Sequence, residues 1–326
     1  MQEDRLSALY AAGKMRVFAM RFAHEKCATE SHPMNTLAVR QAPTLSPLAM
    51  LFVVLWSSAW IAGKIGLPYA GPFSLLLIRF AVAAAVMLLI ALATKAPWPD
   101  KLSDYAHLAI AGLLIQGLAL GCAYLGLELG VSAGTAGLIN GLAPLFTAFA
   151  AVPLLGERVE SRQWLGLGAG LIGVALVVGD HVSLGGVSWA GYAAVFAALA
   201  ALVGGTLYQK KFCSTMDLRT GSFIQLAAAG AAVFVPALRF DGLQVEWNGP
   251  LILASAWLSL ANSIGAFSLL YLLLRSGEAS RVSALFYLVP PVTAIMAFFA
   301  FHETLSHAAL AGFAIAVGGV YLGTRH

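Results

Sequence analysis

Residues 142–178 read LAPLFTAFAAVPLLGERVESRQWLGLGAGLIGVALVV, and much of this pattern returns from Leu288 as LVPPVTAIMAFFAFHETLSHAALAGFAIAVGGVYL. At a constant offset of 146 positions, matching residues are Pro144 and Pro290, Thr147 and Thr293, Glu157 and Glu303, Gly166 and Gly312, and Gly173 and Gly319. An apolar segment with an early proline, a glutamate at its exit and a glycine-rich apolar segment therefore occur twice. This repeat predicts that the chain is built from two copies of one structural unit.

The composition places both copies in a membrane. Of the 326 residues, 60% are hydrophobic and only 10% are charged, and the mean hydropathy is +0.83. A soluble domain carries about 25% charged residues, so a chain this apolar cannot cover its surface with polar groups. The basic residues behind the net charge of +4 lie mostly in short loops, which is typical of membrane topology rather than of nucleic-acid binding.

Ten apolar segments follow residue 45, each close to the roughly 20 residues that cross a bilayer as a helix. Their expected bounds are 47–66, 72–93, 105–126, 132–154, 162–179, 187–208, 219–238, 250–273, 279–301 and 307–323. Backbone polar groups cannot remain unpaired in lipid, so each segment should be helical. The predicted fold class is an all-α integral membrane protein with ten transmembrane helices.

Lysines and arginines predict the orientation of these helices. The loops and helix ends after the even-numbered segments hold Lys95, Lys101, Arg158, Arg162, Lys210, Lys211, Arg219, Arg275 and Arg281. The other side holds Arg239 and Lys64, so both termini are expected in the cytoplasm. Five helices per repeat is an odd number, so the second repeat (187–324) should be inverted relative to the first (46–180), as in many secondary transporters.

Residues 1–45 have mixed charges and no apolar run long enough for a signal peptide. We expect either a disordered tail or an N-terminal extension before a true start at Met34. A basic amphipathic helix on the membrane surface is the alternative.

Acidic residues are missing from the expected membrane interior, because every Asp and Glu beyond residue 45 falls in a loop or at a helix end. Intramembrane carboxylates commonly act as proton relays or cation partners, so this pattern disfavours proton-coupled export of bulky organic cations. Cys27, Cys122 and Cys213 lack metal-site or redox spacing, and no catalytic motif occurs. We therefore expect no enzymatic activity, cofactor or metal.

Neutral polar and aromatic residues within the segments are the candidate lining of a substrate cavity. The set comprises Trp56, Ser57, Trp60, Gln116, Asn140, Tyr208, Ser259, Asn262 and Tyr287. Buried amides and hydroxyls must find partners either on another helix or in a wet cavity, and the residues alone leave both interpretations open. The two tryptophans can likewise line a cavity or simply pack. Such a lining suits a neutral or zwitterionic solute better than a multivalent ion.

The other polar residues and the prolines within the segments can also have purely structural roles. Arg79 lies roughly 10 Å into the second segment at 1.5 Å per residue; it can bind a substrate carboxylate, although backbone carbonyls or the interface more often hold such an arginine. Pro144 and Pro290 should kink two spans, either as hinges of alternating access or as static bends. Glu157 and Glu303 are expected to be helix-end pairing or capping groups.

WSSAWIAGK at 56–64, IRF at 78–80 and the repeated proline-to-glutamate segment occur together in this chain. In combination they resemble the EamA family of the drug/metabolite transporter superfamily, over residues 46–324. The resemblance implies a bacterial inner-membrane carrier, commonly an exporter of amino acids or related metabolites. It also implies a central cavity lined by helices 1, 3 and 4 and their counterparts. His302 occupies a position where the family usually has glycine. In the second repeat, the position that corresponds to Arg79 is occupied by Gln225.

The sequence thus predicts an alternating-access transporter of small neutral or zwitterionic metabolites, with amino acids first. We expect it to work as a monomer, in contact with the lipid bilayer and a small-molecule substrate and without nucleic acid. Efflux of drugs or organic cations is one alternative. A non-transporting membrane scaffold or receptor is another, and it predicts polar groups that pair with one another and leave no cavity.

Overall fold

The computed structural model describes residues 47–155, 161–183, 188–214, 216–266, 269, 285–286, 288–303 and 306–324. Within these ranges the chain is helical and has no strand. The helices are α1 (Pro47–Ala70), α2 (Pro72–Ala93), α3 (Leu102–Glu128), α4 (Ala133–Asn140), α5 (Ala143–Leu155), α6 (Ser161–Ser183), α7 (Trp189–Phe212), α8 (Leu218–Arg239), α9 (Gly249–Ala266), α10 (Val289–Phe301) and α11 (His307–Thr324).

The outer surface is that of a membrane protein. In the described part of the chain, six helices (α1, α2, α3, α7, α8 and α9) are long and apolar enough to cross a bilayer. Large apolar side chains on several helices stay exposed, among them Leu89 at 65%, Leu165 at 71% and Leu253 at 73%. Exposed Trp189 and Trp247 stand at helix ends, where tryptophan collects at membrane–water interfaces. The chain is therefore a multi-pass membrane protein.

Several helix bounds differ from those expected from the sequence. Helix α1 continues to Ala70 rather than ending near residue 66. The chain turns into α2 at Gly71, which adopts a left-handed φ of 67° that glycine tolerates. The expected ninth span, 279–301, contains helix α10 from Val289 onward, and most of its earlier residues lie outside the described ranges. The expected eighth span, 250–273, is helical to Ala266, and the residues that follow lie largely outside the described ranges.

The two prolines expected to kink spans each lie in the first turn of a helix. A turn at Gly141 and Leu142 separates α4 from α5, and Pro144 is the second residue of α5. Pro290 is likewise the second residue of α10. A proline in the first turn costs little, because its missing N–H would have no partner there. Each proline therefore directly follows turn residues, which are Gly141 and Leu142 before α5 and Leu288 before α10. Whether the two prolines act as hinges or as static bends stays a prediction.

Glycines bring helices of the two sequence halves into close contact. A Cβ atom on Gly173 would lie 2.4 Å from the carbonyl oxygen of Gly312, and one on Gly319 would lie 2.6 Å from the amide nitrogen of Gly170. These contacts make α6 and α11 antiparallel. The turn that follows α4 also contacts α10, with Gly141 against the side chain of Pro290. Small residues permit this close packing, on which helix association in lipid depends.

Two helices change from α to π geometry along their length. The π segment of α3 is Leu113–Leu118, and that of α9 is Trp257–Ala266. The first segment, moved by 146 positions, falls inside the second. Gln116 and Asn262 therefore occupy corresponding π turns. Such turns are rare and occur frequently at functional sites.

Candidate functional site

A cavity of about 120 Å³ lies between α3, α7, α8 and the π segment of α9. Five of the residues around it carry neutral hydrogen-bonding side chains: Gln116, Gln209, Ser222, Gln225 and Ser263. One end lies at the turn between α7 and α8, where Asp217 borders the cavity. Gln225 is roughly 12 Å farther along the chain axis of α8 at 1.5 Å per residue. The cavity thus extends from a helix end into the apolar part of the bundle.

Glycine allows the cavity amides to approach one another. A Cβ atom on Gly112 would lie 2.4 Å from the carbonyl oxygen of Gln225, so the backbones of α3 and α8 touch at this point. Gln116 follows Gly112 by about one turn and is 92% buried. Gly205 plays the same part on α7, where an added Cβ atom would lie 2.6 Å from the side chain of Ile115. Close helix approach therefore brings Gln116 and Gln225 to the same cavity.

Asp217, the acidic residue of the cavity lining, already has a partner. Its carboxylate accepts hydrogen bonds from Nε and Nη2 of Arg219 at 3.1 and 2.9 Å. The side-chain hydrogen bond from Arg219 lowers the pKa of Asp217 below its usual value. The same carboxylate caps α8 by accepting from the backbone amide of Arg219. The carboxylate of Asp217 is therefore ionised, and the positive charge of Arg219 balances it at this end of the cavity.

A buried arginine lies next to the cavity. Arg79 is only 4% exposed, and its Nε donates to Oγ of Ser263 while its Nη1 donates to the hydroxyl of Tyr124, both at 3.1 Å. Ser263 also lines the cavity. Gly63 leaves the space that the ring of Tyr124 fills. Among the described residues its side-chain partners are therefore two neutral hydroxyls on neighbouring helices, rather than the backbone carbonyls or the interface that more often hold such an arginine.

Three of the expected cavity residues bond to backbone carbonyls of neighbouring helices. We call these contacts the polar seam: Ser57 donates to the carbonyl of Val289 at 3.2 Å, Ser259 to that of Arg79 at 3.3 Å, and Asn262 to that of Leu55. All three side chains are buried. In the described structure the polar seam therefore joins α1 and α2 to α9 and α10.

Asn262 keeps one unsatisfied atom within this seam. Its Oδ1 is buried and has no hydrogen-bond donor among the described residues. Exchanging the amide oxygen and nitrogen would place two acceptors against each other at Leu55, so the assigned orientation is the better one. A buried acceptor without a donor is uncommon in folded proteins, and a bound group that donates to it is one explanation.

The remaining expected site residues that the structure describes lie away from the cavity lining. Trp56 packs with ring centroids 5.4 Å from Phe52 and 5.3 Å from Phe286, and Trp60 packs half-buried against the main core. Asn140 donates to the carbonyl of Ala136 in its own helix. Tyr208 forms a 2.8 Å hydrogen bond with His107. Tyr287 and Glu157 lie outside the described residues.

The second exit glutamate joins two helices. The carboxylate of Glu303, just after α10, pairs with Nζ of Lys64 on α1. Lys64 also lies 4.9 Å from the ring centroid of Phe301. An ion pair with an adjacent aromatic face fixes the end of α1 against the end of α10.

Sequence reasoning missed most of the cavity lining. Of the nine residues expected there, Gln116 borders the cavity in the described structure, together with the unexpected Gln209, Ser222 and Gln225. One signal was present, because Gln225 stands 146 positions after Arg79 and so replaces a buried charge with a neutral amide. Gln209 and Ser222 carry no comparable signal, since each lies near a helix end where polar residues are common.

Together the fold and the site define a multi-pass helical membrane protein with a polar cavity between its helices. The chain belongs to the EamA-like transporter family, whose sequence profile matches residues 46–179 and 188–325. The family indicates a membrane transporter rather than an enzyme.

Curated relatives match along most of their length. A "Probable terminal-alkyne amino-acid exporter" of Streptantibioticus cattleyicolor is 30% identical over 287 residues, covering 85% of this chain and 92% of that protein. The "Uncharacterized transporter YvbV" of Bacillus subtilis is 27% identical, with 87% and 93% covered. A "Probable amino-acid metabolite efflux pump" of Escherichia coli is 25% identical, with 84% and 93% covered.

A crystal structure of another protein shares the fold. It aligns with a TM-score of 0.61 at 20% identity and covers 85% of this chain and 95% of the other.

Proposed function

We propose that this protein is an alternating-access exporter of small neutral or zwitterionic metabolites, with amino acids as the first substrates to test. The observation that carries the proposal is the cavity beside Arg79, in which amides and hydroxyls converge and the bordering carboxylate is already neutralised. Neutral donors and acceptors recognise a compact polar solute without favouring a net charge. Two relatives named for amino-acid export or efflux support the same substrate class.

The proposed architecture is ten transmembrane helices in two inverted five-helix repeats, 46–180 and 187–324. Helices α2 and α8 begin and end 146 positions apart, as do α5 and α10. Antiparallel contact between α6 and α11 supports the inversion. We place the protein in a bacterial inner membrane with both termini in the cytoplasm. One chain contains both halves, so a monomer suffices.

The proposed transport cycle opens the polar seam. Substrate first meets Gln116, Gln225 and Ser263, because these line the cavity. Ser57, Ser259 and Asn262 would join the site when α1 and α9 separate and release their backbone partners. Trp56, Trp60, Asn140, Tyr208 and Tyr287 remain candidates for the same enlarged cavity. Pro144 and Pro290, which directly follow short turns, would serve as hinges.

The ion pair between Lys64 and Glu303 belongs to the same cycle. In the proposed repeats α1 and α10 lie in different halves, so this pair must break whenever the halves separate at that end. Breaking a partly buried pair is costly and would oppose opening until substrate compensates.

Uptake and counterflow in proteoliposomes test the function. Purified protein is expected to exchange several of a panel of labelled neutral amino acids saturably. Gln116→Ala should lower this exchange roughly tenfold, because it removes a buried hydrogen-bonding group from the site. Gln244→Ala is the matched control, since Gln244 is an exposed amide in a loop.

Failure of every amino acid to exchange, under any proton gradient, would remove the amino-acid assignment. Competition by a lipophilic organic cation, but by no amino acid, would favour the alternative of drug or cation efflux. Lack of flux for either class, in a folded protein, would favour a non-transporting scaffold or receptor.

A further inference from the structure

We infer that Arg79 binds the carboxylate of the substrate. The inference rests on the proposed function, since it names the chemical group that the transported solute presents. It starts from an imbalance of charge: Arg79 is a buried cation, and no carboxylate pairs with it among the residues that the structure describes. A buried charge without a counter-ion costs several kcal/mol, so such groups are almost always paired.

The hydrogen bonds of Arg79 leave it incompletely satisfied. A guanidinium has five N–H donors, of which the one on Nε and one on Nη1 bond to the hydroxyls of Ser263 and Tyr124. Within the described ranges no acceptor is bonded to Nη2. Two neutral hydroxyls fix the direction of the guanidinium plane but do not cancel its charge. This is an oriented fork of the kind that binds a carboxylate through two parallel hydrogen bonds.

Access to Arg79 runs through Ser263. The hydroxyl of Ser263 accepts from Arg79, donates to the carbonyl of Leu258 at 3.0 Å, and also borders the cavity. The cation is therefore one side chain away from the space that Gln116 and Gln225 line. A solute in that space replaces Ser263 as the acceptor for Arg79 by a small rotation of the serine side chain.

The neighbouring groups suit the rest of an amino acid. Oδ1 of Asn262, one residue before Ser263, is a buried acceptor without a donor in the described structure. An ammonium group would satisfy it. A donor fork on α2 and a free acceptor on the π segment of α9, next in sequence to the partner of that fork, thus match the two charged ends of a zwitterion. Phosphate would instead bring a second negative charge that no described cation of the cavity balances.

Comparison of L-alanine with L-alaninamide tests the inference on the wild-type protein. The two differ in the carboxylate alone, so unlabelled L-alanine should inhibit amino-acid counterflow at a concentration at least tenfold lower than L-alaninamide does. In Arg79→Gln the two compounds should become equivalent. Arg79→Lys should keep a preference of lesser size, because an ammonium lacks the planar fork. The matched control is Arg239→Gln, an exposed arginine at the end of α8.

Equal inhibition by the acid and the amide in wild-type protein would overturn the role of Arg79 while leaving the transport function standing. This comparison does not depend on any variant folding. If no amino acid exchanges, thermal-shift measurements with lactate, propionate and inorganic phosphate separate the two claims. Stabilisation by the carboxylates that Arg79→Lys weakens would retain the carboxylate site without the amino-acid function. Stabilisation by phosphate alone, or by none of the three, would overturn the carboxylate site as well.

Discussion

Two cations of the first sequence half, Lys64 and Arg79, have opposite surroundings. Lys64 stands near the end of α1 with its side chain 30% exposed, and the carboxylate of Glu303 neutralises it. Arg79 stands within α2, almost fully buried, and bonds only to hydroxyls among the described residues. The first charge is balanced by the chain itself, whereas the second is not. The difference separates a group that holds helices together from a group that is left available to a solute.

Supplying Arg79 with an internal carboxylate should have the largest effect. Ser263→Asp would give Arg79 the kind of partner that Lys64 already has. Exchange of zwitterionic substrates should fall roughly 30- to 100-fold, equivalent to about 2–3 kcal/mol for charge-assisted hydrogen bonds lost by the substrate. Proteoliposome counterflow and the midpoint of thermal unfolding, measured together, check this outcome.

Ser263→Asn is the control, because asparagine has nearly the size of the introduced aspartate and also forms hydrogen bonds but carries no charge. Unchanged exchange in Ser263→Asp would show that Arg79 does not need an external anion, and the contrast with Lys64 would then lose its functional meaning.

Reversing the charge of Lys64 should have an intermediate effect. Lys64→Glu places two carboxylates together at the ends of α1 and α10 and should change the exchange rate roughly tenfold, since like charges repel across an interface and this pair is partly screened by solvent. The double variant Lys64→Glu/Glu303→Lys restores the attraction and should return the rate to within about threefold of wild type. Exchange rates at low and high salt provide the measurement.

Lys101→Glu, at an exposed position between α2 and α3, is the matched control for the change in charge. If the double variant is as impaired as the single one, the pair does not act through its charge.

The smallest effect is expected at Asp217, whose ion pair with Arg219 lies at a helix end. Asp217→Asn removes the charge but keeps a good helix cap. Because the folded-state pKa of Asp217 is lowered, its stabilisation is present above the unfolded value near 3.9 and is lost as the pH falls through the folded pKa. The variant should unfold at a slightly lower temperature at pH 7.

Thermal scans of both proteins from pH 7 down to pH 3 should show the difference shrinking at the acid end. A constant difference over this range would assign the loss to the helix cap rather than to the charge, and Asp217 would then not belong in the comparison with Lys64.

Much of the fold could be predicted from the sequence because the bilayer imposes simple rules on length and polarity. The second segment, 72–93, coincides with α2, and the membrane character and the family are confirmed. The turn between α4 and α5 is harder to place from the sequence. Proline indicated a disturbance there, but the turn occurs at Gly141, where contact with Pro290 from the other half requires a small residue.

The site could be predicted only by residue type. Gln116 and Asn262 match in the repeat, yet the first faces the cavity and the second bonds to Leu55. Which outcome an amide has depends on neighbours far away in sequence. Arg79 shows the same limit, because its partners Tyr124 and Ser263 are 45 and 184 positions away. Residue spacing reports depth in the membrane but not the partner across a helix interface.

The π segment of α3 changes the direction in which the side chains of the helix point. One residue corresponds to about 100° of rotation, so the extra residue turns everything after Leu118 relative to everything before Leu113. The early half of α3 can therefore direct Gly112 at α8, while the later half directs Tyr124 at Gly63 of α1. Deleting one residue within the segment would leave a continuous helix whose two halves could no longer both face their present neighbours. The two halves of α3 thus present contact surfaces that face in different directions along one helix axis.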